Sequence, residues 1–430
     1  VRAMGRYGDE VTGLATPLTG PGDLDPLMDR VAGARVVMLG EATHGTHEFY
    51  RWRAALTQRL ITERGFSFVA VEGDWPDCAR VDRSTRRDPG APEDPRAALT
   101  GFERWPTWMW ANEEVADFCR WLRGYNATVP EPVGFHGLDV YSLWESLREV
   151  MLYLRENDPE RVPEALAAYR CFEPYGEDPQ RYAMATRLVP EGCEPEVLEL
   201  LMALREAAAR NAGSDSFGAE RNAAAVLGAE RYYRAMLGGG SEAWNVRDRH
   251  MDDTLARLLE YYGRAAKGIV WAHNTHVGDA RATDMAQSGA VNIGQLGRER
   301  YGADEVVLVG FGTHAGTVIA GDEWGAPMRE MPVPPARRDS LEEVLHETAP
   351  ERALLVFPRD GRPDLLTDAL DHRAIGVVYH PERERWGNYV PTVLGERYDA
   401  FCWFDRSSAV RPLRTPAEDA REPETFPTGA

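Results

Sequence analysis

Eight short apolar runs, set far apart along the chain, constrain its fold more than any other feature: Arg35 to Leu39, Phe68 to Val71, Val133 to Phe135, Gly268 to Ala272, Glu305 to Val309, Ala353 to Phe357, Gly376 to Tyr379 and Ala400 to Phe404. Each is continuously apolar and rich in Val and Ile rather than alternating, which is the pattern of strands covered on both faces. Helical spacing fills the intervals; Phe49, Trp52, Leu56 and Leu60 mark a helix that returns the chain from the first run to the second. The pattern predicts an α/β fold, a mainly parallel central sheet flanked by helices.

Between the third and fourth runs, residues 141–264 carry helical patterns such as Pro195 to Arg210, Ala219 to Leu237 and Ser241 to Tyr262. That is too long for an ordinary crossover. It reads as a large helical insertion able to cover a cleft and to select what enters it. Residues 1–414 are expected to form a single α/β domain around this insertion, and 415–430, rich in Pro, Glu and Ala, a disordered tail.

In open parallel sheets, ligands bind beyond the carboxyl ends of the strands, where the connecting loops leave a crevice. Reactive residues gather at those ends here: Glu41 and His44 after the first run, Glu72 after the second, His136 and Asp139 at the third, His273 and His276 after the fourth, and His314 after the fifth. One histidine at a strand end usually caps a helix or braces a loop; several in register point to a shared site. His250, His346, His372, His380 and Cys78 fall in patterns that suggest structural roles only.

The pairs His44/His47 and His273/His276 have the HxxH spacing, but there is no HExxH to support a zinc site. GxSxG, GxGxxG and GxxxxGK[ST] motifs are also missing, so an acyl-serine, a dinucleotide and a nucleoside triphosphate lose their usual signatures. Water is the nucleophile that remains, and neither a cofactor nor a metal is expected.

A formal net charge of −20 opposes a phosphate backbone, which excludes nucleic acid as a partner and leaves a small-molecule substrate. Of 49 basic residues only Lys267 is lysine, so Schiff-base chemistry has almost no candidates. The five cysteines, Cys78, Cys119, Cys171, Cys193 and Cys402, are odd in number and scattered, and read as thiols in a reducing cytoplasm. No run approaches the ~20 apolar residues of a membrane span. A soluble cytoplasmic protein without a membrane partner is expected.

The motifs GEATHGTHEF, then Arg53, GFSFVAVEGDW, TWMWANEEV, RDRHMDDTLARLL, WAHNTHVGDAR and NYVPTVLGERYDAFCWFDRSSAVRPL resemble, in the same order, those of the erythromycin esterase family from about residue 20 to about 413. The resemblance implies an α/β fold with a deep cleft under helical elements and metal-independent hydrolysis of a macrolide lactone ester. The family's functional positions match Glu41, His44, Arg53, Glu72, His273 and His276. Around them, His47, Asp74, Trp75, His136, Asp139, Asn274 and His314 are the candidate substrate contacts.

Ester hydrolysis by direct attack needs a base for water, donors for the oxyanion and an acid for the leaving alcohol. His44 is assigned as the base, held in its tautomer by Glu41 or Glu72, with His273, His276 and Arg53 as the donor side. Three readings remain at this stage: an esterase acting on a natural-product ester or lactone, an acyl-transfer or cyclisation enzyme on the same scaffold, and a non-catalytic ligand- or metal-binding relative.

Overall fold

A computed structural model describes residues 4–188, 192–210 and 213–414, so the expected tail, 415–430, lies outside the described residues. Among the described residues eleven strands form, in chain order: β1 (Ala15–Pro17), β2 (Val36–Leu39), β3 (Phe68–Val71), β4 (Gly134–Gly137), β5 (Gly268–Trp271), β6 (Val306–Ala320), β7 (Arg329–Val333), β8 (Arg352–Val356), β9 (Ala369–Arg373), β10 (Tyr389–Val393) and β11 (Ala400–Ser407). The main sheet runs β1-β8-β11-β6-β2-β5-β3-β4, with β7 paired to the far half of β6. From β11 to β4 every neighbouring pair on that path is parallel, and antiparallel pairing is confined to β8, β1 and β7 and to the separate β9–β10 ribbon.

Alternation along each buried strand feeds two cores. Val37 and Leu39 of β2 join the core on one face of the sheet with Val69, Val71 and the helix His47–Arg64, whereas Val36 and Met38 join Phe68, Ala70 and the helix Glu242–Tyr262 on the other. A third core lies within the helices between β4 and β5, where Leu147, Val197, Leu200 and Val226 meet.

Placement of β5 matters most for the site. It is the fourth of the parallel strands in sequence, yet it pairs with both β2 and β3 and so stands between them. The carboxyl ends of β2, β5, β3 and β4 are consequently consecutive, at the ~4.8 Å spacing of neighbouring strands.

Two strand expectations are corrected. Gly376 to Tyr379 forms no strand; the chain there makes only single bridges, Thr43 with Ile375 and Gly321 with Val378, and serves as a wall against the loop after β2. The fifth run extends from Val306 to Ala320, because β11 and β7 supply partners along its whole length, so His314 lies inside β6 rather than beyond it.

The cysteines are a third correction: Cys171 and Cys193 are joined in a disulfide, while Cys78, Cys119 and Cys402 are free and buried. Closing a loop across a sequence separation of 22 restricts the unfolded chain, worth ~3 kcal/mol in the chain-entropy picture. Reduction is therefore expected to lower the melting temperature, and Cys171→Ser should show the same lowering without reductant. Among the described residues no helix is long and apolar enough to cross a membrane.

Candidate active site

The loop after β2 is built by close approach. A Cβ at Gly40 would collide with Oδ1 of Asn274, and one at Gly45 with the Ile319 carbonyl. Ile375 N donates to the Ala42 carbonyl at 2.8 Å and Asn274 N to that of Glu41 at 2.8 Å, so two distant segments hold the loop on either side. Gly45→Ala is expected to destabilise the fold by ~1–3 kcal/mol, the scale of overpacking, readable by urea denaturation.

Glu41 is fully buried, and its two carboxylate oxygens are divided between two partners. Oε1 meets Nδ1 of His44 at 2.9 Å, and Oε2 makes an ion pair with Arg53 at 2.9 Å. Arg53 comes from the second turn of the helix His47–Arg64, with its guanidinium 4.4 Å from the ring centre of Tyr50 and 5.2 Å from that of Trp271. The Tyr50 hydroxyl donates to the His44 carbonyl at 3.0 Å. A neutral ring that donates from Nδ1 to a carboxylate carries its proton there, which makes Nε2 its basic nitrogen.

Glu72, beyond β3, is the second centre. Its Oε2 accepts from the backbone N of His273 at 2.9 Å, and its Oε1 lies 2.8 Å from Nη2 of Arg247 and 3.3 Å from Nε2 of His276. Burial alone would raise the carboxyl; His276, His44 and Arg247 instead hold it well below its ordinary value. Arg247 also grips Asp139 with two bonds of 2.9 and 2.8 Å.

His276 is buried between carboxylates. Its Nδ1 meets Asp248 at 2.8 Å, and Trp244 stacks on its ring at 4.4 Å. Burial would lower it, but Asp248 and Glu72 push it up to about 10, so it is an imidazolium at neutral pH. An unfolded histidine titrates near ~6.5. The stability this group supplies is therefore complete below about pH 6.5 and is lost as pH rises toward about 10. Asp248→Asn should melt lower than the wild type at neutral pH and lose less on going to alkaline pH.

His273 behaves oppositely. Burial, with the nearby His44, holds it well below its ordinary value. As a neutral ring it donates from Nε2 to the Ile375 carbonyl at 3.1 Å and accepts at Nδ1 from the Thr275 hydroxyl at 2.8 Å. Its ring centre is 4.8 Å from that of His44.

His44, Glu72, Asp139 and Arg247 line one cavity with Asp74, Asp77, Arg104 and Tyr141, closed by Phe102, Pro106, Met109, Trp110, Trp324 and Val377. Its volume is about 50 Å³, room for one or two waters at ~30 Å³ each. Three buried polar atoms of its walls have no hydrogen-bond partner: Nη1 of Arg247, Oδ1 of Asp74 and Nε1 of Trp324. Burial and the neighbouring Asp74 push Asp77 up to about 7.

The expected set is thus divided. His44, Glu72, Asp74 and Asp139 line the cavity, and Glu41, Arg53, His273 and His276 stand behind it. Of the expected donor side, His273 turns Nε2 to the Ile375 carbonyl, His276 turns Nδ1 to Asp248, and Arg53 is ion-paired with Glu41.

His47 lies elsewhere, paired with Glu114 at 2.6 Å in a separate surface hollow. His136 sits within β4, not past its end, and faces Trp75 and Tyr262 away from the cavity. His314, inside β6, stacks on His346 at 3.7 Å. Asn274 braces backbone, donating to the Phe311 carbonyl at 2.7 Å. His372, expected in a helical or surface pattern, is buried in β9, with Nδ1 2.5 Å from Glu342.

Trp244, Arg247 and Asp248 received no role from the sequence, although RDRHMDD contains two of them. A signal existed. Arg247 and Asp248 fall on the stripe of the helix Glu242–Tyr262 that also carries Trp244, Met251, Leu255 and Leu258, and charge on a buried stripe calls for a partner. Among the described residues, no group of three or more His, Cys, Asp or Glu side chains is placed to hold a metal ion.

A mainly parallel sheet with titratable groups converging beyond four adjacent strand ends defines an α/β protein with a site in the strand-end crevice. The erythromycin esterase family profile matches residues 61–407, and the chain belongs to that family. It is 22% identical over 318 residues to an erythromycin esterase type II of Escherichia coli, covering 69% of this chain and 73% of that one. Among solved structures, a succinoglycan biosynthesis protein superposes with a TM-score of 0.79 at 21% identity, covering 96% of this chain and 99% of the other. A mutant of the erythromycin esterase EreC in its open conformation superposes with a TM-score of 0.68 at 17% identity, covering 95% and 98%.

Proposed function

We propose that the protein is a metal-independent carboxylic ester hydrolase in which His44 activates water for direct attack on an ester or lactone of a natural product. The observation that carries this reading is the line Arg53, Glu41, His44, ending at a small cavity into whose wall Arg247 brings a buried, unpartnered N–H. Glu41 accepts from Nδ1 of His44, which makes Nε2 the basic nitrogen that takes the proton from water; as the imidazolium forms, the same carboxylate stabilises it. Arg53 sets its guanidinium 2.9 Å from the other oxygen of Glu41, so the buried carboxylate has a cation beside it.

Arg247 Nη1 then supplies the donor for the oxyanion. Its other contacts, to Glu72 and Asp139, hold it rigidly, and preorganised donors of this kind lose little to rearrangement. Nε2 of His44 returns its proton to the leaving alcohol. At about 50 Å³ the cavity is far smaller than the ~300–1,000 Å³ of small-molecule sites, so an ester needs it to widen.

A mass-spectrometric screen of the pure protein against macrolactones and smaller esters tests the reading. A lactone is expected to gain the mass of one water, and an open ester to split into an acid and an alcohol whose masses sum to ester plus water; an isomer of unchanged mass would mean intramolecular acyl transfer instead.

A further inference from the structure

Trp75 and His136, which the sequence marks as substrate contacts, belong to a second cavity on the other side of the first turn of the helix Trp75–Arg86. It lies in the crease between that helix, the helix Leu143–Asn157, the start of the helix Ser214–Met236 and Tyr261. Its volume is about 390 Å³, within the ~300–1,000 Å³ of small-molecule sites.

Two features show what the crease could hold. Trp75 and Asn222 line it, only 5% and 7% exposed, and Nε1 of the one and Oδ1 of the other have no hydrogen-bond partner, so one donor and one acceptor are buried unsatisfied in its walls. Such groups cost ~1–3 kcal/mol each unless a ligand or water meets them. Around them the walls are aromatic. His136 stacks on Trp75 at 5.4 Å, Phe217 meets Trp75 edge-on at 5.9 Å, and Tyr261, 38% exposed, stacks on Phe217 at 4.1 Å.

The charges exclude an anion. Five carboxyl groups line the crease against two guanidiniums, those of Arg83 and Arg86; burial pushes one of the five, Asp82, up to about 7 and His136 down to about 3, so acid still outnumbers base. An aromatic platform beside an unsatisfied indole donor, an unsatisfied amide acceptor and several carboxylate acceptors suits a ring with an apolar face and a rim of hydroxyls. We propose that this crease is a second binding site, for a neutral glycosyl ring lying on the aromatic wall with its hydroxyls on Trp75 Nε1 and Asn222 Oδ1. Asp74 of the catalytic cavity immediately precedes Trp75, so the two cavities share a wall.

Calorimetric titration of the full chain with the methyl glycosides of glucose, galactose and mannose and with their disaccharides tests this independently of any esterase activity. At least one is expected to bind saturably with Kd of ~1 mM. Asn222→Leu, which removes the acceptor, and Tyr261→Ala, which removes part of the platform, should each weaken that binding about 5-fold or more, the value of one hydrogen bond or ring contact. His44→Ala should leave it unchanged. No saturable binding by any glycoside, binding indifferent to both crease variants, binding abolished by His44→Ala, or binding of tetramethylammonium in preference to every sugar would each overturn the proposal.

Discussion

His44→Ala is expected to lower kcat by ~10²–10⁴-fold, the contribution of a positioned general base, with KM nearly unchanged. The side chain is 3% exposed, and its Nδ1 is committed to Glu41, so the variant removes the proton acceptor while Arg53 still neutralises the carboxylate behind it. For that reason the fold should survive, and a melting curve close to wild type would show that it has. Single-turnover kinetics on an ester identified by the mass screen would then locate the loss in the chemical step.

Arg247→Met is expected to act on stability and on turnover together. Arg247 is 3% exposed and is shared by Glu72 and Asp139, so its removal leaves two buried carboxylates short of a cation, at a cost of ~3–5 kcal/mol. The missing oxyanion donor should cost a further ~10²–10³-fold in kcat. Arg247→Lys separates the two effects. A lysine restores one charge and hence part of the stability, but a single ammonium lacks the planar fork that meets Asp139, Glu72 and the cavity at once, so turnover should stay low. Urea denaturation and steady-state kinetics of the pair read this directly.

The strand ends were legible because burial on both faces leaves a continuous apolar run, although Gly376 to Tyr379 shows that such a run can also serve as a buried wall without pairing. That reasoning placed Glu41, His44, Glu72, Asp139, His273 and His276 together, and the structure has them on four neighbouring loops. It misplaced His136 and His314 for one reason: both lie within strands, where alternate side chains face the sheet's covering layers rather than the crevice. Nothing local announces that β5 enters between β2 and β3, a choice made by packing across the whole sheet. The helix bearing Arg247 was legible as a helix, but its contact with the site depends on how the insertion folds back, and only the charge on its buried stripe hinted at it. The disulfide escaped because a separation of 22 between Cys171 and Cys193 matches no local motif.

Hydrolysis of a screened ester in heavy-oxygen water, with intact-protein mass recorded during turnover, most directly tests water activation at His44. Direct attack predicts one heavy oxygen in the released acid, an unmodified protein throughout, and almost no product from His44→Ala. An acyl group on the protein, or near-normal hydrolysis by a correctly folded His44→Ala variant, would contradict it.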